Sequence, residues 1–395
     1  MKILFLAPFG IRPKGTVIAR MLPLAVELQN LGHTVTIVAP PYTNPEDSGK
    51  TEELRGVRLV NVTLPAAGKA LGALPLAWRM FTAARAEQPD VIHLFKPKGY
   101  GGLAAMLHLI LKTCGMRMAP LFVDGDDWEG KGGMNDLHSY SLLEKKLFAF
   151  QEQWLPLHSS GVTVASLQLK KLMIEMGISS EKILYLPNCV DALPPGNGLQ
   201  VREQLDIPAV TPVLLLYTRF FEFSQNRLHR ILSGIHQAMP LAKFLIVGKG
   251  RQGEEEQLDS AARTMGFAKA LFTVGWLEPG QIAAYLAAAD AAIYPLDDTL
   301  LNRAKCPAKL TEIISAGVPV VADRVGQAAE YLDDALLCSP SQPDEMIAKA
   351  VALLSDREEG KLSGEKLRQQ LLTQFKWSDY ALKLHDFYHM CQTIK

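Results

Sequence analysis

The chain has 395 residues, of which 48% are hydrophobic and 21% are charged. This length favours two domains or more, and the composition is that of a globular protein with enough apolar material for buried sheets. Lysine plus arginine and aspartate plus glutamate number 41 each, so no net basic field exists to hold nucleic acid. Five scattered cysteines without a Cys-x-x-Cys pair argue against a disulfide framework or a zinc knuckle and favour a reducing cytoplasm.

The first half of the chain reads as alternating strands and helices. The apolar run at 3–7, bounded by Pro8, predicts a buried strand and is too short for a signal peptide or a membrane span. Thr16 is expected to cap the following helix, which ends at Gly32. Further along, an apolar helix is predicted at about 103–111 and strands are predicted at 35–38, 91–94 and 121–123.

The alternation restarts after a turn-rich linker at 186–198. The second half has predicted helices at 228–238 and 307–316 and predicted strands at 213–217, 243–247, 291–294 and 318–322. Strand, helix, strand in this order indicates right-handed βαβ units. We therefore predict an α/β protein with two facing Rossmann-like domains, at 1–190 and 191–375, each with a parallel sheet, and a cleft between them. A last helix, in 376–395, is expected to pack back on the first domain.

The segment from Cys306 to Ala322 is the most informative in the sequence. Pro307 at the first helical position and Gly317 just past the last turn predict a short helix. Its free N–H groups, with Lys305 and Lys309 nearby, predict an anion site for a pyrophosphate. Glu312 lies farther along the helix, where its carboxylate could accept two hydrogen bonds from a ribose diol. The alternative is an amphipathic surface helix with a solvated glutamate.

Other motifs accompany this helix. They are Leu31-Gly32-His33-Thr34-Val35, Leu186-Pro187-Asn188-Cys189-Val190-Asp191, Tyr217-Thr218-Arg219, Val247-Gly248-Lys249-Gly250 and Gly275-Trp276-Leu277. Together with the helix they make nearly the whole chain resemble the retaining glycosyltransferases of family 4. That family has the GT-B architecture of two facing Rossmann-like domains.

The resemblance implies a function and a set of donor-binding residues. It implies transfer of a sugar from a nucleotide diphosphate carrier, with retention, and with neither a metal nor another cofactor. Glu312 would hold the ribose, Arg219 would contact the diphosphate, and the Gly275-Trp276 backbone would lie against the base. The departing phosphate would help take the acceptor proton. The full predicted donor set is Gly15, Thr16, Gly248, Gly250, Gly275, Trp276, Lys305, Pro307, Ala308, Lys309, Leu310 and Glu312.

The sequence departs from the family pattern at two positions. Ala304 stands where the family usually has a glutamate that contacts the sugar hydroxyls, so the donor sugar is left open. Ser224 stands where the family has a phosphate-binding lysine, and Arg227 is the candidate replacement. Arginine would keep the charge but would bind phosphate as a planar fork. Alternatively, Arg227 is a solvated charge on the exposed face of its helix.

The run from Gly248 to Gly253 fits G-x-G-x-x-G and invites a nicotinamide-dehydrogenase interpretation. That fingerprint belongs in the first βα turn of a dinucleotide-binding domain, whereas this run follows the second strand of its half. We therefore expect the glycines, which lack side chains, to keep this loop from projecting into the cleft. A nucleotide-sugar sensor that lost catalysis with the acid replaced by Ala304 is a further alternative.

Acidic residues follow the strand at 121–123. Asp124, Asp126 and Asp127 could hold a divalent metal, because hard cations prefer oxygen ligands. Such a motif is typical of a single-domain fold, which does not explain a second Rossmann-like half. We instead expect Asp126, Asp127, Trp128 and Glu129 to line the acceptor side of the cleft. If the enzyme inverts the anomeric configuration, Asp126 or Asp127 becomes the natural general base.

Two features of the first half remain. His93 ends an apolar strand and is predicted to reach the ligand crevice at the sheet edge. The apolar segments 74–80 and 103–111 favour core packing, with a weak peripheral membrane contact as the alternative. The expected partners are a nucleotide-sugar donor and a glycan, lipid-linked or small-molecule acceptor. We expect a cytoplasmic protein, with a location at the inner face of the membrane as the alternative.

Overall fold

The computed structural model describes residues 1–12, 15–66 and 69–393. Its contacts divide the chain into two compact units. The first unit contains Met1–Cys189, Ala304–Cys306 and Phe375–Lys395, and the second contains Val190–Arg303 and Pro307–Gln374. Each unit is built around its own sheet.

The first unit holds an eight-stranded sheet in the order β3-β4-β2-β1-β5-β6-β7-β8. Its strands are β1 (Lys2–Leu6), β2 (Thr34–Ala39), β3 (Thr51–Leu54), β4 (Val57–Asn61), β5 (Val91–Phe95), β6 (Leu121–Gly125), β7 (Gly161–Val164) and β8 (Ile183–Tyr185). Neighbouring strands are parallel except for β3 and β4, which form an antiparallel pair. The helices among these strands are α1 (Leu22–Asn30), α2 (Lys69–Ala86), α3 (Gly99–Thr113), α4 (Leu142–His158) and α5 (Leu167–Glu175).

The predicted first helix is confirmed, but its start differs from the prediction. A π-helical turn, Val17–Met21, precedes α1, and Thr16 already has helical backbone angles. The Thr16 side chain does not cap the helix; its hydroxyl donates to an Asp126 carboxylate oxygen at 3.2 Å. Gly32 follows α1 with φ +85°, the left-handed conformation that ends many helices.

One part of the core of the first unit lies between its sheet and a layer of helices. Side chains of α2, α3 and α4 pack there on Leu4, Ile92 and Val123 of the central strands. These strands are apolar throughout because a parallel sheet is covered on both faces. None of the helices in the part of the chain that the structure describes is long and apolar enough to cross a membrane.

The second unit holds a six-stranded parallel sheet in the order β11-β10-β9-β12-β13-β14. Its strands are β9 (Val213–Tyr217), β10 (Lys243–Val247), β11 (Leu271–Gly275), β12 (Ala291–Tyr294), β13 (Val320–Asp323) and β14 (Leu337–Cys338). Its helices are α6 (Gly198–Gln204), α7 (Gln225–Ala238), α8 (Glu254–Met265), α9 (Pro279–Ala287), α10 (Leu300–Ala304), α11 (Ala308–Ser315), α12 (Ala328–Tyr331), α13 (Pro343–Ser355) and α14 (Arg357–Gln374). The Ala304 end of α10 groups with the first unit.

The chain ends in α15 (Trp377–Thr393), which belongs to the first unit and packs on α1. Tyr388 on α15 is fully buried and meets the sheet at His93 on β5. On the α1 side of α15, the Nε2 atom of His33 lies 2.8 Å from the Nδ1 atom of His385. The chain thus starts and finishes in the same unit.

Candidate active site

Strand order explains where ligands gather in each unit. In open parallel sheets the ligand crevice lies at the carboxyl ends of the strands, where the chain direction across the sheet reverses. In the second unit this reversal falls between β9 and β12. Tyr217, Gly248 and Gly275 stand at or just after the carboxyl ends of β9, β10 and β11. Gly248 and Gly275, which were predicted to bind the donor, therefore share one edge with Tyr217.

The short helix α11 reaches the same edge because it lies between β12 and β13. Pro307 is its N-cap, with φ −81° and ψ +82°, and not its first helical residue as predicted. The free N–H groups begin at Ala308, which is exposed. Gly317 follows the helix with φ +75°, as predicted. Leu310 is buried, so its side chain anchors the helix in the core.

Glu312, Lys309 and Tyr217 form one cluster on this edge. The Lys309 ammonium lies 3.4 Å from the centre of the Tyr217 ring. The Tyr217 hydroxyl is hydrogen-bonded to Glu312, and burial together with the Glu312 charge raises the pKa of Tyr217 well above its usual value. The tyrosine therefore stays protonated and orients the carboxylate that is predicted to hold the ribose.

The glycine loop after β10 is shaped by close backbone approach. Gly248 has φ +125°, and a Cβ at this position would meet the Thr218 carbonyl oxygen at 1.8 Å. The backbone N–H groups of Arg251 and Gln252 donate to the Glu254 carboxylate at 2.8 and 2.6 Å. In a dinucleotide fold such N–H groups would bind pyrophosphate. Here Glu254 occupies them, which argues against the dehydrogenase interpretation.

Two predicted residues at this edge face solvent. Trp276 follows β11 and is exposed, and Gly275 before it has φ +69°. The Arg219 guanidinium is half exposed, lies over the Phe221 ring at 4.7 Å and approaches Glu222 at 3.7 Å. Arg219 thus combines a weak internal ion pair with access from outside, as a diphosphate-binding cation requires.

Arg227 is neither a solvated charge nor a cation that faces a ligand. Its guanidinium is buried and donates to both carboxylate oxygens of Asp323 at 2.5 and 2.6 Å. A third contact joins it to Asp297 at 3.1 Å. This bidentate ion pair ties α7 to the end of β13 and uses the donors that a phosphate would need. The structure therefore does not support Arg227 as the replacement for the missing lysine.

Two further positions near α11 group with the first unit. Ala304 is fully buried, and its carbonyl accepts from the Ser166 hydroxyl at 2.5 Å. Lys305, which was predicted to add positive charge near the helix start, is buried as well.

The first unit has a cluster of its own at the carboxyl ends of β5 and β6, next to the reversal of its sheet between β1 and β5. The buried Lys96 ammonium lies 2.8 Å from Asp126, 2.8 Å from Asp127 and 3.4 Å from Glu129. Lys98 binds the other Glu129 oxygen at 2.7 Å. Two lysines thus hold the predicted acceptor-side carboxylates together.

Burial sets the protonation of this cluster. It raises the pKa of Asp126 to about 6; Lys96 works against this shift, and the charges of Asp127 and Asp124 add to it. Asp124 itself is buried in an ion pair with Arg20, with donor distances of 2.8 and 2.6 Å.

Among residues 1–12, 15–66 and 69–393, no group of three or more His, Cys, Asp or Glu side chains is placed to hold a metal ion.

Trp128 and Glu129 are buried, so they shape the acceptor-side loop from within. The Trp128 indole N–H donates to the Lys131 carbonyl at 3.0 Å.

Gly15 precedes the π-helical turn, and its carbonyl accepts from the Ile18 and Ala19 N–H groups. Gly15 therefore starts a helical turn beside the loop that follows β1.

His93 was predicted at the sheet edge, but it lies in the middle of β5 and is fully buried. One imidazole nitrogen is 2.6 Å from the Tyr388 hydroxyl and the other is 3.1 Å from the Thr163 hydroxyl. Burial lowers the pKa of His93 to about 4. His93 therefore holds α15 on the sheet and does not reach a substrate.

Sequence reasoning missed Lys96, Lys98 and the role of Tyr217. A signal for the lysines was available, since Lys-Pro-Lys directly follows the strand at 91–95, beside the sheet reversal. Lys96 also has φ +56°, which is unusual for a long side chain and directs the ammonium inward. No local pattern indicates that Asp323 pairs with Arg227, because the two lie 96 positions apart.

Comparisons with known proteins agree with this geometry. Residues 15–189 match the family described as glycosyl transferase 4-like domain, and residues 211–356 match the family described as glycosyl transferases group 1. Both matches describe glycosyltransferase domains, and together they span most of the chain. It is 22% identical over 382 residues to a glycogen synthase of Mycobacterium tuberculosis, covering 91% of this chain and 87% of the relative.

Solved structures show the same fold. Sucrose-phosphate synthase from Thermosynechococcus elongatus superposes with a TM-score of 0.73 at 15% identity, covering 100% of both chains. Anabaena HepE in complex with UDP and glucose superposes with a TM-score of 0.72 at 18% identity, covering 99% of this chain and 100% of HepE. The protein is a glycosyltransferase of the GT-B fold.

Proposed function

We propose that this glycosyltransferase moves a hexose from a nucleoside diphosphate hexose to a glycan, lipid-linked or small-molecule acceptor, with retention at the anomeric carbon. We also propose that it needs neither a metal ion nor a further cofactor. It would act in the cytoplasm, with a weak peripheral contact at the inner face of the membrane. The division of the chain near residue 190, with the donor side in the second part, belongs to the same proposal.

The observation that carries the proposal is the Glu312–Tyr217–Lys309 cluster at the carboxyl edge of β9. A carboxylate held by a neutral tyrosine can accept hydrogen bonds from a ribose diol, and the start of α11 offers free N–H groups to a diphosphate. UDP-glucose is the first donor to test, because HepE has been solved in complex with it.

The donor site is tested by calorimetry with UDP, ADP and GDP. The Glu312→Ala variant should bind the preferred nucleotide about 2–4 kcal/mol more weakly, because two charged hydrogen bonds are lost. Tyr217→Phe should cost about 1 kcal/mol, since the carboxylate remains but loses its orienting donor. Glu203→Ala, at an exposed position of the same unit, is the matched control. Equal affinities for the Glu312→Ala variant and the control would remove Glu312 from the site.

The reaction needs charge stabilisation at the leaving diphosphate more than a nucleophile. Arg219 and the N–H groups of α11 would provide it, and the acceptor-side carboxylates are already neutralised by Lys96 and Lys98. Transfer should therefore continue in EDTA. Loss of activity in EDTA with rescue by Mn²⁺ would contradict metal independence. Retention is tested separately: proton NMR of the first product shows whether the anomeric configuration is retained or inverted.

The charge that Arg219 meets grows in the transition state, so Arg219→Ala should lower kcat by about 10²- to 10³-fold with a smaller change in donor KM. The control is Arg263→Ala, an exposed arginine on α8 whose partner Asp259 lies on the same helix. Steady-state kinetics at saturating acceptor measure both constants. If Arg219→Ala changed only KM, the arginine would bind ground state and transition state equally.

A further inference from the structure

A cavity of about 670 Å³ opens at the amino edge of the sheet in the first unit. It lies between the last turns of α2 and α3 and the starts of β5 and β6, where Asp90 and Pro120 precede the two strands. Its volume is within the range of small-molecule sites, about 300–1,000 Å³. The Lys96 cluster stands at the other end of β5, roughly 13 Å along the strand from Ile92. The cavity is therefore separate from the edge of this unit at which the acceptor is proposed to bind.

Two arginines line this cavity. Arg85 lies in the last turn of α2 and Arg117 lies between α3 and β6, and both are exposed. Within residues 1–12, 15–66 and 69–393, neither guanidinium has a hydrogen-bond, ion-pair or ring partner. A guanidinium presents its N–H donors as a planar fork that matches the oxygens of a phosphate group. The two arginines thus offer a pair of such forks to one ligand.

The ends of α2 and α3 do not account for all of the positive charge here. Each helix end carries about half a negative charge, so one cation would balance the two ends. Asp90 adds one carboxylate, and Glu87 is already held in an ion pair. Against these, Arg85, Lys112 and Arg117 carry three positive charges. An excess of about one positive charge remains, which an anionic ligand would neutralise.

One wall of the cavity is apolar. Phe81 and Ile92 are buried members of the core, and Met118 packs against that core half-buried. An apolar wall with a few polar groups that fix orientation is typical of small-molecule sites. The ligand should therefore have a body that packs on this wall as well as a charged group.

The remaining polar groups of the cavity are hydrogen-bond acceptors. His108 is buried, and burial lowers its pKa, so its imidazole is neutral. Its Nε2 atom donates to the Ala119 carbonyl at 2.8 Å, which makes Nδ1 an acceptor. One oxygen of the Asp90 carboxylate accepts from the Lys2 N–H at 2.7 Å, and the second oxygen is a further acceptor. Both acceptors call for hydroxyl groups on the ligand.

We propose that this cavity binds a small sugar phosphate. The phosphate group would bind between Arg85 and Arg117. The hydroxyl groups would donate to Asp90 and to Nδ1 of His108, and the sugar ring would lie on the apolar wall. A bare phosphate would leave the acceptors unused, and an uncharged sugar would leave the two guanidinium groups without a counter-charge. All of these residues belong to the first unit, so the site does not depend on the proposed donor site.

The test uses the full chain with ¹³C-methyl-labelled methionine, in which Met118→Leu assigns the Met118 signal. We expect glucose 6-phosphate to shift this signal and to leave the signal of Met265, in the second unit, unchanged. Inorganic phosphate alone and glucose alone should each bind at least about tenfold more weakly, because each makes only part of the hydrogen bonds. Saturating UDP should leave the Met118 shift in place.

Arg85→Gln and Arg117→Gln should each weaken the binding of glucose 6-phosphate about tenfold, because hydrogen bonds to a charged group are lost. Arg55→Gln, at an exposed arginine elsewhere in the first unit, is the matched control and should bind like the unaltered chain. Circular dichroism checks that the variants are folded. Equal affinity of the unaltered chain and a variant with both substitutions would overturn the proposal. So would loss of the Met118 shift in UDP, or inorganic phosphate binding as tightly as the sugar phosphate.

Discussion

At the scale of single residues, Arg227 and Asp323 show how a charge can be committed to the fold. Asp323 is fully buried, and besides Arg227 it accepts a hydrogen bond from the Leu296 N–H at 2.7 Å. Burial raises the pKa of Asp323, and the Arg227 guanidinium works against that shift. Without the arginine, a carboxylate would remain in the interior with its charge uncompensated.

We therefore expect Arg227→Ala to lower the free energy of unfolding by about 3–5 kcal/mol, the usual cost of removing one partner of a buried ion pair. Arg230→Ala is the control one turn along α7, because its partner Asp344 is exposed and surface pairs contribute little. Urea unfolding followed by circular dichroism measures both variants. If the two midpoints agreed, the bidentate pair would have no net role in stability.

Glu152 on α4 is a buried carboxyl whose two oxygens have no hydrogen-bond partner among the residues that the structure describes. Burial, followed by the neighbouring Glu129 charge, raises its pKa well above the usual value. Between the usual and the raised pKa, the unfolded chain binds fewer protons than the folded chain at this position, so Glu152 reduces stability as the pH rises. Glu152→Gln should remove this penalty.

The predicted outcome is a higher melting temperature for Glu152→Gln than for the unaltered chain at neutral pH, with the difference growing towards alkaline pH. The exposed Glu175→Gln is the control. Thermal unfolding across a pH series measures this difference in melting temperature. A difference that stayed constant with pH would mean that Glu152 is ionised in the folded protein.

At the scale of elements, α15 is held to the sheet by a buried polar contact. His93 on β5 meets Tyr388 of α15 and Thr163 of β7, and the Thr163 hydroxyl donates to Asp124 at 2.5 Å. One histidine thus connects the last helix to two strands of the sheet. The contact requires a neutral imidazole, because burial opposes a charge at this position.

This contact predicts acid sensitivity. The pKa of His93 falls from 6.5 to about 4 on folding, so below 6.5 the unfolded chain binds the additional proton and stability decreases as the pH drops. The loss should reach roughly 3 kcal/mol near pH 4. His93→Gln should be less stable at neutral pH but should show a flatter decline between pH 6.5 and 4, whereas the exposed His158→Gln should follow the unaltered chain. Parallel declines in stability for the unaltered chain, His93→Gln and His158→Gln would contradict this role of His93.

At the scale of the whole molecule, local patterns were enough to predict the parallel strands of two Rossmann-like domains, whereas the GT-B fold was predicted from the family resemblance. Uninterrupted apolar runs such as Val213–Tyr217 have few alternatives to a strand covered on both faces. The β3–β4 hairpin was not recognised, since Thr51–Leu54 is short and half charged. The start of α11 was predicted one residue early, because Pro307 fits either the cap or the first turn.

The candidate site was harder to predict than the fold. Glu312 and the loop glycines could be proposed from the sequence because their motifs are local. The partners that decide what a charge does come from distant segments: Asp323 for Arg227, Lys96 for Asp126, Tyr388 for His93. Sequence spacing indicates which residues occupy a sheet edge. It does not indicate which charges are already neutralised there, and that requires the tertiary contacts.

The two compact units make a final prediction about the whole chain. Each unit has its own sheet, and the edge proposed to bind the donor belongs to the second. A nucleotide at about 100 times its Kd should stabilise that unit by about 2.7 kcal/mol. For a unit of this size the melting temperature shifts by about 2–4 °C per kcal/mol, so its transition should rise by roughly 5–10 °C.

Scanning calorimetry with UDP should therefore show one transition whose temperature rises and one whose temperature stays the same. The Glu312→Ala variant should show no rise. His93→Gln should instead lower the stationary transition, because His93 and α15 lie in the first unit. A single transition that shifts as a whole would show that the units unfold together.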